Sequence, residues 1–235
     1  MPRGEEETGV DLPSTAPFRA EAVIADAFGC DAELAGVIRR KADYRRYRPR
    51  AAILRSGDRS DTVYLLIEGQ AQAIALSFDG RMVLVQDYRP GDIFGEAAIS
   101  GTITAFEDIV AVTEAEAGQF RSPVFVGLIE SYPSVALAVS KLLTRRLGQA
   151  NRRMVEGATL SAAGRIHAEL LRQARQTPDH VIRPLPVFST FALGVQSTRE
   201  TVSRTINQLE RRGIVRREKG ALIVVAPHRL EELIY

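Results

Sequence analysis

Arg199, Glu200, Ser203 and Arg204 fall within one short stretch of the chain, and their types suit the edges of base pairs. An arginine can pair with two acceptors on a guanine, and a glutamate can accept from the amino group of a cytosine, so the combination fits a DNA major groove. The segment that carries them, Ser197 to Val215 (STRETVSRTINQLERRGIV), reads as a helix. Ser197 or Thr198 can cap its start, with Glu200 placed where a capping-box glutamate would close on Ser197. Val202, Ile206 and Leu209 recur at helical spacing and would face a core, which leaves the four polar residues on the first turns of the other face. Beyond Gly213, two apolar runs flank the polar turn Glu218-Lys219-Gly220 and predict a hairpin, or wing. The commoner meaning of an arginine-rich amphipathic helix is a solvated face, and composition alone favours that meaning.

The 235 residues suffice for two modest domains, each with a core of its own. An apolar fraction of 45% and a charged fraction of 26% are ordinary for a soluble globular chain. No apolar run approaches the roughly 20 residues that span a bilayer. The first residues, MPRGEEETGVD, lack the apolar stretch of a secretory signal, so a cytoplasmic location is expected. Cys30 is the single cysteine, which excludes an intrachain disulfide and any cysteine-built zinc or iron-sulfur site within one chain. A small buried apolar residue is its simplest role. The net charge of +2 conceals a division: residues 160–235 hold 12 Lys and Arg against 7 Asp and Glu, and the rest of the chain 19 against 22. Such segregation favours contact with a polyanion through the basic part, which also carries Arg199 and Arg204.

The elements that must position these residues can be taken in order. Residues 1–18 are polar and aperiodic, and a mobile tail is expected. Two short helices are expected over Glu21–Phe28 and Ala32–Lys41. Arg45–Arg50 (RRYRPR) reads as a solvated strand edge, with a phosphate contact as the alternative. From Ala51 to Phe120 short apolar runs alternate with turns, among them AQAIALS and the Asp79-Gly80 turn, which predicts antiparallel hairpins closed into a β-roll. Ser134–Glu156 has no internal proline, and Val135, Val139, Leu142, Leu143, Leu147, Ala150 and Met154 form a narrow apolar stripe. A stripe of this kind suits pairing with a twin helix across a two-fold axis; covering the roll is the other possibility. Glu156-Gly157-Ala158 is the expected hinge, followed by a helix over Ala162–Gln176 with Ile166, Leu170 and Leu171 turned inward. The expected divisions are 19–133 for the roll, 134–157 for the long helix and hinge, and 158–235 for a C-terminal domain.

Thr198-Arg199-Glu200-Thr201-Val202-Ser203-Arg204 closely resembles the recognition-helix motif of the CRP/FNR family of bacterial transcription regulators. Tyr64-Leu65-Leu66-Ile67-Glu68-Gly69 and Gly91-Asp92-Ile93-Phe94-Gly95-Glu96 resemble that family's effector domain, and the resemblance extends from residue 20 or so to the last residues. It implies an α+β protein with an antiparallel β-roll of the cyclic-nucleotide-binding kind, a long dimerisation helix and a winged helix-turn-helix. It implies base contacts from Arg199, Glu200 and Arg204, phosphate contacts from Thr198, Ser203 and Lys219, and no enzymatic activity. The implied partners are a twin chain, double-stranded DNA bearing an inverted-repeat operator, and RNA polymerase. The stripe from Val135 to Met154 aligns without gaps on the family's dimer helix, which selects dimerisation. Two departures fall in the helix-turn-helix, whose first helix is expected at Thr190–Val195. Gln196 takes the tight-turn position usually held by glycine, and Val187 and Phe188 replace polar residues, so a shifted or blunter turn and a missing phosphate contact are expected.

Cyclic-nucleotide-binding members of that family use a glycine-glutamate pair for the ribose and a later arginine-serine or arginine-threonine pair for the phosphate. Gly95-Glu96 match the first pair, but Ala105-Phe106 stand at the second, and no arginine lies between Arg89 and Arg121. A buried phosphate would lose its charge-assisted partner, so tight cyclic-AMP binding is not expected. On the long helix, Ala150-Asn151 stand where the cyclic-AMP receptor holds adenine with a threonine-serine pair. Phe106 is placed to fill the pocket instead, and Glu96 is either a turn residue or a ligand contact. Another ligand, such as a cyclic dinucleotide held by Thr102, Thr104 and the amides around Gly95, stays open, as does a regulatory module that binds protein rather than DNA. His167, His180 and His228 all lie outside the roll, so no metal or cofactor is expected there.

Overall fold

The structure is a computed structural model that describes residues 17–76, 82–101, 105 and 107–234; the expected N-terminal tail lies almost wholly outside them. The chain forms two compact units that divide between Arg145 and Arg146. No single helix among the described residues is long and apolar enough to cross a membrane.

The first unit opens with α1 (Pro17–Phe28) and α2 (Ala32–Arg39), the two short helices expected there. Asp31 caps α2 by accepting from the Leu34 amide at 2.9 Å, which satisfies one of the donors a helix start leaves free. Eight strands follow among the described residues: β1 (Asp43–Tyr47), β2 (Ala52–Leu54), β3 (Thr62–Glu68), β4 (Ala71–Leu76), β5 (Met82–Tyr88), β6 (Ile93–Phe94), β7 (Asp108–Ala111) and β8 (Ala115–Arg121). They form two antiparallel sheets, ordered β1-β8-β3-β6 and β2-β7-β4-β5. The arginine-rich β1 is an edge strand: Arg45 reaches water and discourages further pairing, while Arg46 turns inward, its Nε donating to Glu116 Oε2 at 3.2 Å. β4 and β5 pair from Ala71 with Tyr88 to Leu76 with Met82; the Asp79-Gly80 turn expected between them lies outside the described residues.

β3 shows why the sequence of this unit is so apolar. Val63, Leu65 and Ile67 point to one side and join Ile24, Phe28, Ile38, Phe120 and Phe125 in a core built with the helices. Tyr64 and Leu66 point the other way, into a second core between the sheets with Phe94, Tyr88, Ile109 and Ala117. A strand covered on both faces reads as a continuous apolar run, as TVYLLIE does. The Tyr64 and Phe94 rings stack at 5.0 Å between centroids, and Tyr88 meets Phe94 at the same 5.0 Å.

α3 (Ser122–Ser131) leads to α4 (Pro133–Thr159). The apolar stripe expected on this long helix is divided. Val135, Val139 and Leu142 are buried in the helix-side core of the roll, so that this part does cover the roll. Leu143, Leu147, Ala150 and Met154 are exposed, Leu147 by 62% and Met154 by 69%. The expected hinge at Glu156-Gly157-Ala158 is not a break: α4 runs through it to Thr159, and the Leu160 amide still donates to the Glu156 carbonyl at 2.9 Å. A single glycine costs a helix about 1 kcal/mol relative to alanine, which neighbouring turns can absorb.

In the second unit, α5 (Ala162–Ala174) is capped by Ser161, and β9 (Val181–Ile182), α6 (Phe188–Gly194), α7 (Arg199–Arg211), β10 (Val215–Glu218), β11 (Ala221–Val224) and α8 (Pro227–Glu231) follow. The sheet order is β10-β11-β9, so β10 and β11 form the expected wing. Ile166, Leu170, Phe191, Val202, Ile206, Leu209, Ile214 and Leu222 make a core distinct from those of the roll.

Candidate nucleic-acid interface and effector pocket

α7 begins one residue later than a Ser197 cap would place it. Thr198 is the N-cap: its Oγ1 accepts from the Thr201 amide at 3.2 Å and meets the Thr201 hydroxyl at 3.1 Å. The box of Ser197 and Glu200 is therefore not formed, because Thr201 and not Glu200 occupies the third helical position. The Thr198 cap contributes about 1 kcal/mol. Glu200 is held charged in another way. Its own backbone amide and the Thr198 hydroxyl bond to the carboxylate, with Arg199 adding attraction, and together they keep it below the usual carboxylate range.

Val202, Ile206 and Leu209 are buried, as their spacing requires. On the opposite side Arg199, Glu200 and Arg204 are exposed and Ser203 is half-buried. These four share a groove of about 810 Å³ with Phe188 and Arg211. Lys219 is exposed at the turn between β10 and β11, where Gly220 adopts a φ of 75°.

The turn before α7 is neither shifted nor blunter than the glycine it lacks would allow. Gln196 itself adopts the left-handed conformation, with a φ of 51°, and the Ser197 amide donates to the Ala192 carbonyl at 2.9 Å. Two bonds from Arg165 on α5 hold this turn, Nε to the Val195 carbonyl at 2.9 Å and Nη2 to the Gln196 carbonyl at 2.9 Å, and a third, Nη1 to the Leu160 carbonyl at 3.0 Å, ties the same guanidinium to the residue before the Ser161 cap. A guanidinium fork fixes three acceptors at once because its donors are coplanar and rigid. α6 starts at Phe188, two residues before the expected Thr190, and its N-cap Val187 provides no side-chain bond.

Arg217 on β10 is another residue that sequence reasoning passes over. Its Nη2 donates to Asn207 Oδ1 at 2.6 Å, its Nη1 pairs with Glu210 Oε2 at 3.2 Å, and its guanidinium carbon lies 5.6 Å from the centroid of the Phe188 ring. It joins the wing to the exposed side of α7. Only the alternation of VRRE along a wing strand hints that one arginine points inward and its neighbour outward.

In the roll, Gly95 has a φ of 74°, and a β-carbon there would lie 2.6 Å from the Thr62 carbonyl oxygen. Glycine is thus required for the turn to lie against β3, whatever the ligand. Glu96 opens a short 3₁₀ helix (Glu96–Ser100) and is half-buried. The Ala105 backbone is tied to the loop at Gly57 and Asp58 by bonds of 2.9 and 3.0 Å. Phe106, Thr102 and Thr104 lie outside the described residues, and Asn151 is exposed on α4. Among the described pocket residues of the roll, Gly95 and Glu96 thus share one turn and Ala105 lies in the loop that pairs with Gly57 and Asp58.

Comparison with known proteins adds an independent line. The cyclic nucleotide-binding domain family matches residues 44–132, and the Crp-like helix-turn-helix domain family matches residues 164–233. Transcriptional activatory protein AadR of Rhodopseudomonas palustris is 32% identical over 203 residues, covering 83% of this chain and 82% of that protein. The cAMP-activated global transcriptional regulator CRP of Pasteurella multocida is 26% identical over 191 residues, covering 76% of this chain and 88% of that one. The crystal structure of a CRP/FNR-family transcriptional regulator from Thermus thermophilus superposes with a TM-score of 0.62 at 25% identity, covering 82% of this chain and 98% of that chain.

Proposed function

From the premise that this chain belongs to the CRP/FNR family of transcription regulators, we propose that it works as a homodimer on an inverted-repeat operator and does so without cyclic AMP. It is a regulator with a DNA-binding helix-turn-helix, not an enzyme. The observation that carries the proposal is the open polar side of α7, where Arg199, Glu200, Ser203 and Arg204 share one groove. Arg199, Glu200 and Arg204 read base edges, and Thr198, Ser203 and Lys219 bond phosphates. The open half of the α4 stripe, Leu143 to Met154, pairs with its twin, which sets two half-sites roughly 34 Å apart. The protein acts in the cytoplasm, and RNA polymerase is the partner through which it alters transcription.

Cyclic AMP is set aside because Ala105 and Phe106 replace the cation and hydroxyl that would hold its phosphate. The preserved Gly95-Glu96 turn favours a second reading, in which another polar ligand such as a cyclic dinucleotide controls the protein. Titrating an inverted repeat of TGTGA, the half-site that the resemblance to the CRP/FNR family implies, with no effector, with cyclic AMP and with a cyclic dinucleotide separates these readings. The proposal expects tighter binding to the repeat than to random duplex with nothing added. Enhancement by cyclic AMP would overturn its ligand-independent part, and enhancement by the dinucleotide would support the second reading. Equal binding to both duplexes would overturn operator recognition.

A further inference from the structure

Phe188 is an apolar ring placed among the polar residues of the α7 groove. It lines that groove with Arg199, Glu200, Ser203 and Arg204. Half-buried, it packs on the second-unit core from one side, and the Arg217 guanidinium lies over its ring. Arg217 is itself held by Asn207 and Glu210, so the ring is backed by a fixed support. The same bond occupies the Asn207 carbonyl oxygen and withdraws it from base recognition. Val187, 67% exposed and without a capping side chain, extends the apolar surface at the start of α6.

An aromatic carbon surface cannot bond a phosphate oxygen, and it would desolvate a donor or acceptor on a base edge without replacing the lost water. One group in the major groove suits it: the C5-methyl of thymine, the only apolar feature on the base edges there. We propose that Phe188 is a specificity-determining residue that receives the methyl group of one thymine in each operator half-site. This rests on the reading of α7 as the DNA-facing helix and adds a base identity to it. The charged readers select guanine and cytosine edges beside it, and the ring selects thymine over cytosine or uracil at its own position.

The test uses the full-length protein and a duplex enriched from a randomised pool by binding. Thymines in the enriched repeat are replaced one at a time by deoxyuridine, which removes the methyl and leaves every hydrogen-bonding group in place. Wild-type protein should lose about fourfold in affinity for each critical methyl removed, the effect of withdrawing one buried carbon from apolar contact. Phe188→Ala should bind the thymine and uracil forms alike. Phe188→Leu, which keeps an apolar side chain over the core, serves as the second variant if the alanine form fails to fold. A wild-type protein indifferent to every deoxyuridine overturns the proposal without any variant. An unchanged uracil response in Phe188→Ala assigns the methyl to another side chain. Equal loss on enriched and random duplexes, with the uracil response kept, makes Phe188 a sugar-backbone contact and also overturns it. These three results leave DNA recognition standing, whereas a pool that enriches no sequence overturns both readings.

Discussion

Arg199 and Lys219 are both exposed cations, yet the DNA reading gives them different work. Arg199→Ala should cost about 1–3 kcal/mol on the operator and relax the choice of one base pair. Lys219→Ala should weaken operator and random duplex alike and reduce the salt slope by about one. Titrations of both duplexes over a range of salt distinguish them; an equal loss on both from the Arg199 change would remove it from base readout. Gln196, at a φ of 51°, bears a strain of roughly 1 kcal/mol that a residue without a β-carbon escapes. Gln196→Gly should raise the unfolding free energy of the second unit by up to about 1 kcal/mol in urea, and a fall instead would show that the glutamine side chain holds the turn. The open polar side of α7 was legible because it is local, with Arg199, Glu200, Ser203 and Arg204 on one face of one helix. Arg165 and Arg217 were not, since the turn carbonyls that Arg165 holds stand 30 and 31 residues away and no pattern of side chains announces them, and Arg217 reaches back from a strand to Asn207 on a helix, 10 residues away.

Among the elements, α5 and the segment after α8 meet at a titrating group. His167 is buried on α5, and its Nδ1 donates to the Leu233 carbonyl at 2.9 Å. Burial lowers its pKa from the ordinary 6.5; the Leu233 bond opposes the shift and Arg212 reinforces it. The unfolded chain consequently takes up this proton first as pH falls. The second unit should hold its full stability above pH 6.5, lose some as pH drops towards the lower folded value, and level off below that. Urea unfolding at about pH 7.5 and about pH 5.5 measures the change, and His167→Gln should remove its share; an unaltered difference would place the sensitivity elsewhere. Strand alternation and helical spacing made these elements readable, down to the hairpin of β4 and β5 and the wing. What spacing could not supply was a boundary correct to one residue, hence the Thr198 cap, or the fact that Gly157 stays helical. It also could not divide the α4 stripe, because an apolar face has the same period whether it meets its own roll or a second copy.

At the scale of the whole molecule, the basic surplus of residues 160–235 over an acidic remainder directs one part of the protein to a polyanion. Pairing through α4 would then offer two such parts at once. Leu147→Glu, a charge in the middle of the open stripe, should convert a dimer to a monomer by sedimentation and weaken operator binding by about a hundredfold or more, as expected when two linked sites act singly. Each unit should still fold and unfold cooperatively, since Leu147 is 62% exposed in the single chain, with the melting temperature lowered only by the lost association. A monomer with undiminished operator affinity would end the two-fold reading. The roll imposes a different kind of constraint through β3, whose successive side chains from Val63 to Ile67 answer to two separate interiors. A strand with one wet face can tolerate a slip by turning some greasy residues to water, but here no idle face exists. Deleting one residue would seat isoleucine against the tyrosine rings and tyrosine among the helices. Insertions and deletions in this half are thereby restricted to the tips of its hairpins, and β3 serves as the ruler against which β6 and β8 are aligned.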